Sequence, residues 1–540
     1  MKLSNEGLRN KLQWEEKGYA VPAYDRAAVT EATKEEPVWL HLGAGNIFRA
    51  FPAMLNHRLL NEGKMDKGII VGEGFDYEII EKAYRPFNEL SLLVTLKADG
   101  SVDKTVVGSV IESLKMDSSN EEEFSRLKDI FMASSLQMVS FTITEKGYSL
   151  VNARGEVMPD VQEDFKNGPK QPVSYMGKLT ALLYERYKKS ADPIALVSMD
   201  NASHNGALLQ QTVTEFVDVW SKEGLVDDGF RDYVGDSTKV AFPWSMIDKI
   251  TPRPDSDVQE ILKKEGFEDT ETIITSRHTY TAPFVNAEEA EYLVIEDTFP
   301  NGRPPLEEAC VIFTDRETVD KAETMKVTTC LNPLHTALAI YGCLLGHTSI
   351  HEEMKDDELT ALIEKIGYQE GLPVVVDPKI LDPKAFIDEV INVRFPNPFM
   401  PDTPQRIATD TSQKLSIRYG KTIQAYLASE DKDVSELTFI PLVLAGWLRY
   451  LMQVDDNGKQ MKLSPDPLLE ELTPVMGTIK LGDDNREQIA DIVRPILNRS
   501  DIFAVDLYEA GLADKVVDYL VELTEKPGAV RETLKRALSK

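Results

Sequence analysis

The stretch MKVTTCLNPLHTALA, from Met325 to Ala339, places a lysine, an asparagine and a histidine within ten residues of one another. A lysine can exchange protons with a bound molecule once burial or a nearby cation lowers its pKa from about 10.4 towards roughly 7–8. An amide such as that of Asn332 can donate a hydrogen bond to an oxygen that becomes negative. The alternative is structural: a helix begins near Pro333, Asn332 caps it, Lys326 is solvated and His335 lies in the core.

The elements that would position this segment change in kind along the chain. Short β-rich runs first alternate with helical patterns, which is typical of a doubly wound parallel sheet. These runs are VWLHLG (38–43), GIIVG (68–72), MVSFTIT (138–144), IALVSMD (194–200) and, as the last one, EYLVIED (291–297). A Pro- and Gly-rich linker, FPNGRPPLEEAC, follows, and beyond it the periodicity is helical. We predict a Rossmann-like α/β domain over residues 1–305 and an all-α domain over residues 306–540.

The first predicted strand runs into a glycine turn, HLGAGNIFRA, in which one residue separates Gly43 from Gly45. Glycine lets the backbone approach a pyrophosphate, and the helix that follows supplies N–H donors. The third position of the usual fingerprint is Phe48 instead of glycine. A carboxylate at the end of the second strand can accept hydrogen bonds from the ribose hydroxyls, which favours NAD over NADP. Glu73 fits this role best and Asp76 is second; two ordinary turn carboxylates are the alternative.

Three further polar stretches are candidates for a binding site. They are SMDNASHNG (198–206), FPWSMIDKITPRPD (242–255) and VRFPNPFMPDTPQRIATDTSQKL (393–415). A bidentate arginine suits a carboxylate, so Lys249, Arg253, Arg394 and Arg406 are candidate partners for an acidic substrate. The alternative for each stretch is a polar loop that caps neighbouring elements.

The composition narrows the class of protein. The formal net charge of −30 and the pI of about 4.7 disfavour binding to nucleic acid or to an anionic membrane. The N-terminus is polar, and no apolar run reaches the roughly 18 residues that a membrane span needs. Three cysteines without a CxxC motif predict neither a disulfide framework nor a zinc site. We expect a cytoplasmic monomer or small homo-oligomer with a small-molecule substrate and no metal.

Six motifs together make the sequence resemble a known family. In chain order they are GxGNxxRA (43–50), TITEKGY (142–148), DNxxxNG (200–206), FPWSMIDKITP (242–252), the lysine–asparagine–histidine segment (326–335) and RFPNP (394–398). From about Trp39 to about Asp410 the chain is similar to the polyol-specific long-chain dehydrogenases, also called the mannitol dehydrogenase family. The resemblance implies NAD(H) as cofactor and no catalytic metal.

The resemblance also implies roles for individual residues. Lys326 is the general acid/base, Asn201 and Asn332 hold the reacting oxygen, His335 orients the substrate hydroxyl and Glu323 relays protons. Asp248 and Arg394 match substrate-pocket positions, joined by Lys249 and Arg406 as carboxylate partners. The expected cofactor contacts are Gly43, Gly45, Asn46, Ile47, Arg49, Glu73, Asp76, Thr144 and Asp200. For Arg49 the alternative is a solvated surface arginine.

One departure from the family pattern concerns the lysine. The family places four residues between the lysine and the asparagine, whereas this chain has five, from Val327 to Leu331. A helix can absorb an extra residue as a π-bulge, a feature often found at functional sites. The insertion could instead move Lys326 away from the substrate.

The expected function is that of an NAD-dependent oxidoreductase that interconverts a keto sugar acid and its hydroxy acid. The preferred pair is D-fructuronate with NADH and D-mannonate with NAD. The alternatives are a mannitol or other polyol 2-dehydrogenase, a tagaturonate reductase, and an NAD-binding sugar sensor without turnover.

Overall fold

A computed structural model describes residues 1–539 of the chain. Its backbone forms two compact units, which we call the sheet unit (residues 1–97 and 101–320) and the helical unit (residues 98–100 and from Lys321 onward). The division falls inside the helix Arg316–Met325, beyond the change of pattern that the sequence indicates near residue 305. No helix within residues 1–539 combines the length and the apolar character that crossing a membrane requires.

Within residues 1–539 the strands are β1 (Tyr19–Ala20), β2 (Trp39–Leu42), β3 (Ile69–Glu73), β4 (Ser91–Leu96), β5 (Val102–Val107), β6 (Val110–Lys115), β7 (Met138–Phe141), β8 (Ile194–Ser198), β9 (Val240–Ala241), β10 (Ser245–Asp248), β11 (Ile273–Ile274), β12 (Tyr280–Thr281), β13 (Phe284–Glu288), β14 (Tyr292–Glu296) and β15 (Ile312–Thr314). The α-helices before the division are α1 (Lys11–Glu15), α2 (Arg26–Glu35), α3 (Asn46–Ala50), α4 (Pro52–Asn61), α5 (Glu121–Met132), α6 (Pro159–Asn167), α7 (Tyr175–Lys189), α8 (Asn205–Lys222), α9 (Asp228–Gly235) and α10 (Ser256–Glu265).

Six parallel strands form the main sheet of the sheet unit, in the order β6-β3-β2-β7-β8-β9. Every residue of β2, β3, β7 and β8 is buried, as their unbroken apolar runs predict. Along β2, Trp39 packs into one apolar core with Leu59 of α4, whereas Leu40 packs into a second core with Leu182 of α7 and Phe216 of α8. Helices therefore cover both faces, and the predicted doubly wound fold is confirmed.

The strand order places the glycine turn at a distinctive point of this sheet. The chain proceeds from β2 outward through β3 to β6, and then returns to add β7, β8 and β9 on the other side of β2. The order reverses between β2 and β7, so the carboxyl ends of these two strands flank a crevice where ligands bind in open α/β sheets. Gly43 and Gly45 directly follow β2 at this crevice.

Two predictions about strands need correction. EYLVIED does form β14, but that strand pairs antiparallel with β10 and parallel with β15, outside the main sheet. It is also not the last strand, because β15 follows the linker. Three residues, IFT, are too few to show a periodicity, and β15 exists because β14 offers it a free edge.

The helical unit follows with α11 (Arg316–Met325, which spans the division), α12 (Asn332–Leu345), α13 (Ile350–Glu353), α14 (Asp357–Glu364), α15 (Pro383–Glu389), α16 (Pro404–Ile407), α17 (Lys421–Ala428), α18 (Phe439–Leu451), α19 (Leu469–Met476), α20 (Arg486–Leu497), α21 (Ser500–Phe503), α22 (Ala513–Thr524) and α23 (Ala529–Leu538). All 13 residues of α18 are buried, which makes it the central helix of this unit. Four π-helices interrupt the described part of this unit, at Lys326–Cys330, Lys365–Gly371, Val390–Arg394 and Ser416–Gly420.

Candidate active site

The glycine turn needs its two glycines for different reasons. Gly43 has φ +112°, and a Cβ at this position would lie 2.3 Å from the carbonyl oxygen of Thr142. Only glycine fits there, because the side chain would meet both a strained backbone and a neighbouring strand end. Gly45 has an ordinary φ of −77°, and a Cβ there would meet nothing within 4 Å. The space beside Gly45 is therefore free for a ligand that approaches the backbone closely.

A carboxylate from β3 holds this turn in place. The Glu73 Oε2 atom accepts a hydrogen bond of 2.8 Å from the Ala44 N–H. Its Oε1 atom accepts bonds of 2.8 and 3.1 Å from the N–H groups of Phe75 and Asp76. Burial raises the pKa of Glu73, while the three backbone N–H groups oppose that shift. Asp76 is also buried, and its Oδ2 accepts a 2.6 Å bond from the Thr275 hydroxyl.

A cavity of about 590 Å³ opens beside the turn. Gly43, Gly45, Glu73, Asp76 and Thr144 line it, so the sheet unit brings together five of the predicted cofactor residues. A cavity of this size suits a dinucleotide portion with a ribose and phosphates. Because an open glycine and two buried carboxylates face the same space, the residues present fit the predicted cofactor.

Tyr175, which begins α7, is among the residues of this cavity that sequence reasoning missed. Its ring limits the space beside Gly74, where a Cβ would lie 2.5 Å from the Tyr175 Cε2 atom. The Tyr175 hydroxyl is buried and has no hydrogen-bond partner within residues 1–539. A hydroxyl in that state can bond to a ligand in the cavity. No local pattern marks it, because the residue reaches the turn only through the packing of α7.

Asp200 acts on the cavity through the loop after β7. Its Oδ2 accepts bonds from the Ile143 N–H at 2.9 Å and the Tyr148 hydroxyl at 2.6 Å. Its Oδ1 accepts a 2.8 Å bond from the N–H of Thr144, a residue whose φ of +65° is unusual for a residue with a side chain. The structure thus places Asp200 as a positioning residue for Thr144 rather than in the cavity lining.

Arg49 matches neither of the two roles that the sequence suggested, a cofactor contact or a solvated surface arginine. Only 1% of it is exposed. Its guanidinium donates to the Thr281 hydroxyl at 3.1 Å and to the Ala282 carbonyl at 2.8 Å. It is neither a surface residue nor part of the cavity lining. Asn46 and Ile47, in the first turn of α3, are half-buried and also lie outside the lining.

The segments SMDNASHNG and FPWSMIDK are joined by one buried asparagine. The Asn205 Nδ2 donates to the Ser245 carbonyl and hydroxyl, both at 3.0 Å, and its Oδ1 accepts from the Ser245 N–H. Asn201 remains exposed, and Asp248 is buried at the end of β10. Lys249 is occupied elsewhere, since its ammonium group contacts the Glu288 carbonyl at 2.9 Å and the Glu291 carboxylate at 3.1 Å.

In the helical unit, the extra residue after the lysine is absorbed as a π-helix. Lys326 is its first residue, and the Leu331 N–H donates to the Lys326 carbonyl five residues back, at 3.1 Å. Only 3% of Lys326 is exposed, so the surface interpretation of this residue is wrong. Glu323, one turn earlier on α11, is half-buried.

Asn332 is not the helix cap that the structural interpretation requires. The N-cap of α12 is Leu331, without a side-chain hydrogen bond, and Asn332 is the first helical residue. The half-buried Asn332 amide has no hydrogen-bond partner in the part of the chain that the structure describes. It is therefore available to a bound molecule.

His335 lies one turn further along α12. Its ring packs against Phe395 with the ring centres 4.9 Å apart, and Nε2 lies 3.6 Å from the Asp402 Oδ2. Burial lowers the pKa of His335 to about 4, Asp402 opposes this shift, and Arg418, Arg406 and Arg394 add to it. The imidazole is thus neutral at pH 7. In this state it can orient a hydroxyl group by donating or accepting one hydrogen bond.

Three arginines lie near this histidine. Arg394 ends a π-helix and is buried. Arg406 is mostly exposed and forms an ion pair with Asp402. Arg418 was not among the predicted site residues, because it lies three residues beyond the last polar stretch, 393–415. Among residues 1–539 no group of three or more potential ligands is arranged to hold a metal ion.

The fold and the site define a Rossmann-type dinucleotide-binding protein with an added helical unit. Residues 38–308 match the mannitol dehydrogenase Rossmann domain, and residues 318–524 match the mannitol dehydrogenase C-terminal domain. The chain belongs to the mannitol dehydrogenase family. The predictions of this family and of an oxidoreductase are confirmed.

Individual relatives cover the chain almost completely. The D-mannonate oxidoreductase of Thermotoga maritima is 52% identical, over 100% of this chain and 99% of that protein. The mannitol 2-dehydrogenase of Emericella nidulans is 29% identical, over 87% and 88%. The solved complex of Pseudomonas fluorescens mannitol 2-dehydrogenase with NAD and D-mannitol has a TM-score of 0.69 at 26% identity, and each chain is covered in full. A substrate-free D-sorbitol dehydrogenase, with a TM-score of 0.77 at 22% identity over 95% and 97%, shares the fold.

The two glycines give a first testable prediction. Gly45→Val should raise the Kd for NADH at least about tenfold with an unchanged melting temperature, since its side chain extends into free space at the cavity. Gly43→Ala is the matched comparison and should instead lower the melting temperature, because its methyl group meets the Thr142 carbonyl. Fluorescence titration with NADH and thermal unfolding measure the two effects. An unchanged NADH affinity in Gly45→Val would contradict the placement of the cofactor.

Proposed function

We propose that the protein is an NAD-dependent oxidoreductase that interconverts D-fructuronate and D-mannonate. The observation that carries this proposal is the 52% identity, over the whole chain, to a D-mannonate oxidoreductase. The reaction converts a ketone into a secondary alcohol, which requires one hydride on carbon and one proton on oxygen. NADH, when bound, supplies the hydride.

The helical unit offers groups for the proton and for the charge on oxygen. Lys326, which is buried, is the group to which we assign proton donation, from its ammonium form to the ketone oxygen. Asn332 holds the ketone oxygen with its unpaired amide and stabilises the developing alkoxide. His335, which is neutral, orients a neighbouring substrate hydroxyl. Glu323 returns a proton to Lys326 after each turnover.

The charges around His335 favour an acidic substrate over a neutral polyol. Arg394, Arg406 and Arg418 all act electrostatically on this ring, and Asp402 is the acid that opposes them. Asp402 is itself paired with Arg406. Arg418 forms no ion pair with a carboxylate among residues 1–539, and such a cation attracts an anion. The carboxylate of a sugar acid is such an anion.

A substrate panel tests the proposed function. D-fructuronate, D-tagaturonate and D-fructose would be compared at equal concentrations with NADH and then with NADPH, and D-mannonate with NAD in reverse. We expect the highest kcat/KM with D-fructuronate. We also expect NADH to exceed NADPH by at least about a hundredfold, because Glu73 and Asp76 would repel a 2′-phosphate.

Every other result of the substrate panel points to a different function for this protein. A preference for D-fructose indicates a polyol 2-dehydrogenase. A preference for D-tagaturonate indicates a tagaturonate reductase. NADH binding without turnover of any compound indicates a sensor. Equal use of NADPH contradicts the roles of the two carboxylates.

The cysteines support a reducing compartment for this enzyme. Cys330 and Cys343 are buried free thiols, and burial raises the pKa of each to about 12, so both stay protonated and unreactive. Cys310 is an exposed free thiol. Exposed thiols persist in reducing surroundings, so we propose a cytoplasmic location.

A further inference from the structure

Arg418 is a half-buried cation without an acidic partner. It lies in the middle of the π-helix Ser416–Gly420, and its guanidinium donates a hydrogen bond to the Thr336 hydroxyl. No carboxylate among residues 1–539 forms an ion pair with it. Burial lowers the pKa of Arg418 to about 10, although it stays protonated at pH 7.

Other buried arginines of this protein show what a structural role looks like. Arg186 donates to five backbone carbonyl oxygens, at 2.7 to 3.2 Å. Arg449 donates to three, those of Leu523, Val454 and Asp455. Each guanidinium is thus satisfied by the fold itself. The Arg418 guanidinium instead donates to a single acceptor, the Thr336 hydroxyl. Most of its five N–H donors therefore have no acceptor from the described chain.

Two titratable groups of the helical unit lie within the electrostatic reach of Arg418. Its charge lowers the pKa of His335 and of Lys414. The Lys414 ammonium bonds to the Thr409 carbonyl, and no ion pair neutralises it. Asp410 and Asp466 act on Lys414 in the opposite sense, whereas no carboxylate does so for Arg418, which is therefore the cation here that the fold does not offset. Such an arrangement is typical of a site that binds an anion.

Arg418 is also attached to the segment that carries the proposed chemistry. The Thr336 hydroxyl that accepts from Arg418 donates in turn to the Asn332 carbonyl at 2.9 Å. Thr336 directly follows His335 in the first turns of α12. Each of the four π-helices in the described helical unit holds a lysine or an arginine: Lys326, Lys365, Arg394 and Arg418. Distortions of this kind are frequent at functional sites, and the π-helix Ser416–Gly420 fixes the position of Arg418 on the backbone.

We propose that Arg418 binds the carboxylate of the sugar-acid substrate and sets the preference for a uronate over a neutral ketose. This inference rests on the proposed function. The planar guanidinium has two parallel N–H groups that match the two oxygens of a carboxylate. Arg406 is less suited, because Asp402 already occupies it, and Lys249 is held by Glu291.

Steady-state kinetics of Arg418→Gln test the role. We expect kcat/KM for D-fructuronate to fall about a hundredfold, mostly through KM, because a buried charged hydrogen bond is lost. The kcat/KM for D-fructose, which has no carboxylate, should stay within about threefold of the wild type. Arg418→Lys keeps the positive charge but lacks the two parallel N–H groups of the guanidinium. Its kcat/KM for D-fructuronate should therefore lie between the values of Arg418→Gln and the wild type. Arg486→Gln, an exposed arginine paired with Asp514 and Asp518, is the control and should behave as wild type.

Thermal unfolding gives a readout that does not depend on turnover. D-mannonate should raise the melting temperature of the wild type and of Arg486→Gln, but not that of Arg418→Gln. Without ligand, Arg418→Gln should melt no lower than the wild type, since a half-buried charge that forms no ion pair in the fold has been removed. A lower melting temperature would show that the arginine is needed by the fold, and would overturn the proposal.

The remaining outcomes separate this inference from the proposed function. Equal losses for D-fructuronate and D-fructose, or an unchanged KM for D-fructuronate in Arg418→Gln, overturn the role of Arg418 while the function stands. If the wild type reduces no uronate, yet D-mannonate stabilises it and not Arg418→Gln, the proposed function fails and the carboxylate site stands. Equal stabilisation of both proteins by D-mannonate overturns the site.

Discussion

Lys326→Ala should lower kcat for D-fructuronate reduction by at least about a hundredfold, the lower end for general acid–base catalysis. The physical reason is that reduction leaves negative charge on the ketone oxygen, and Lys326 is the group proposed to neutralise it with a proton. The lysine is buried and begins the π-helix Lys326–Cys330, so its position is set by the backbone. Stopped-flow measurement of NADH oxidation would give the rate of the chemical step.

A matched control is available in the same unit. Lys365 also begins a π-helix, Lys365–Gly371, and is half-buried against the ring of Phe439. Lys365→Ala should retain nearly normal kcat. NADH affinity should be unchanged in both variants, because the glycine turn is formed by residues of the sheet unit. Small primary amines should restore part of the rate of Lys326→Ala only.

The kinetic result decides between a catalytic and a structural lysine. A Lys326→Ala enzyme that keeps most of its kcat would refute the assignment, and the residue inserted before Asn332 would then be the reason. A lower melting temperature together with normal kcat would assign Lys326 to the packing of the helical unit.

Asn332→Ala is the second substitution with a large expected effect. We expect kcat to fall by roughly 10²–10³, the range found when one oxyanion-hole donor is removed. Stability should hardly change, because Leu331 and not Asn332 occupies the cap position, and the amide bonds to no other described residue. Loss of a genuine cap would cost about 1 kcal/mol instead.

The control for this variant is Asn392→Ala. Asn392 is an exposed residue of the π-helix Val390–Arg394 whose amide donates to the Asp388 carbonyl. Its substitution should leave kcat unaltered. If Asn332→Ala melts earlier and turns over normally, the amide serves the fold, and the stabilisation of the alkoxide must come from another donor.

Several features of this protein follow from local sequence alone. The strands β2, β3, β7 and β8 are unbroken apolar runs, and a run of that kind must be buried on both faces. The glycine turn is a second local feature, because only glycine readily adopts the positive φ angle found at Gly43. The π-helix after Lys326 was one of two outcomes that the extra residue allowed, and the extra residue itself is visible only against the family pattern.

Other features depend on contacts between residues distant in the chain, and the tertiary structure decided them. The sequence offered Lys249 and Arg406 as carboxylate partners, but Glu291 and Asp402 already pair with them. Asp200, a predicted cofactor contact, holds the backbone of another loop, which no local pattern indicated. Arg418 lies in none of the motifs that the sequence shows. Charge and residue type are properties of a single residue. Whether a charge is already paired depends on the whole fold, because packing decides which side chains lie next to it.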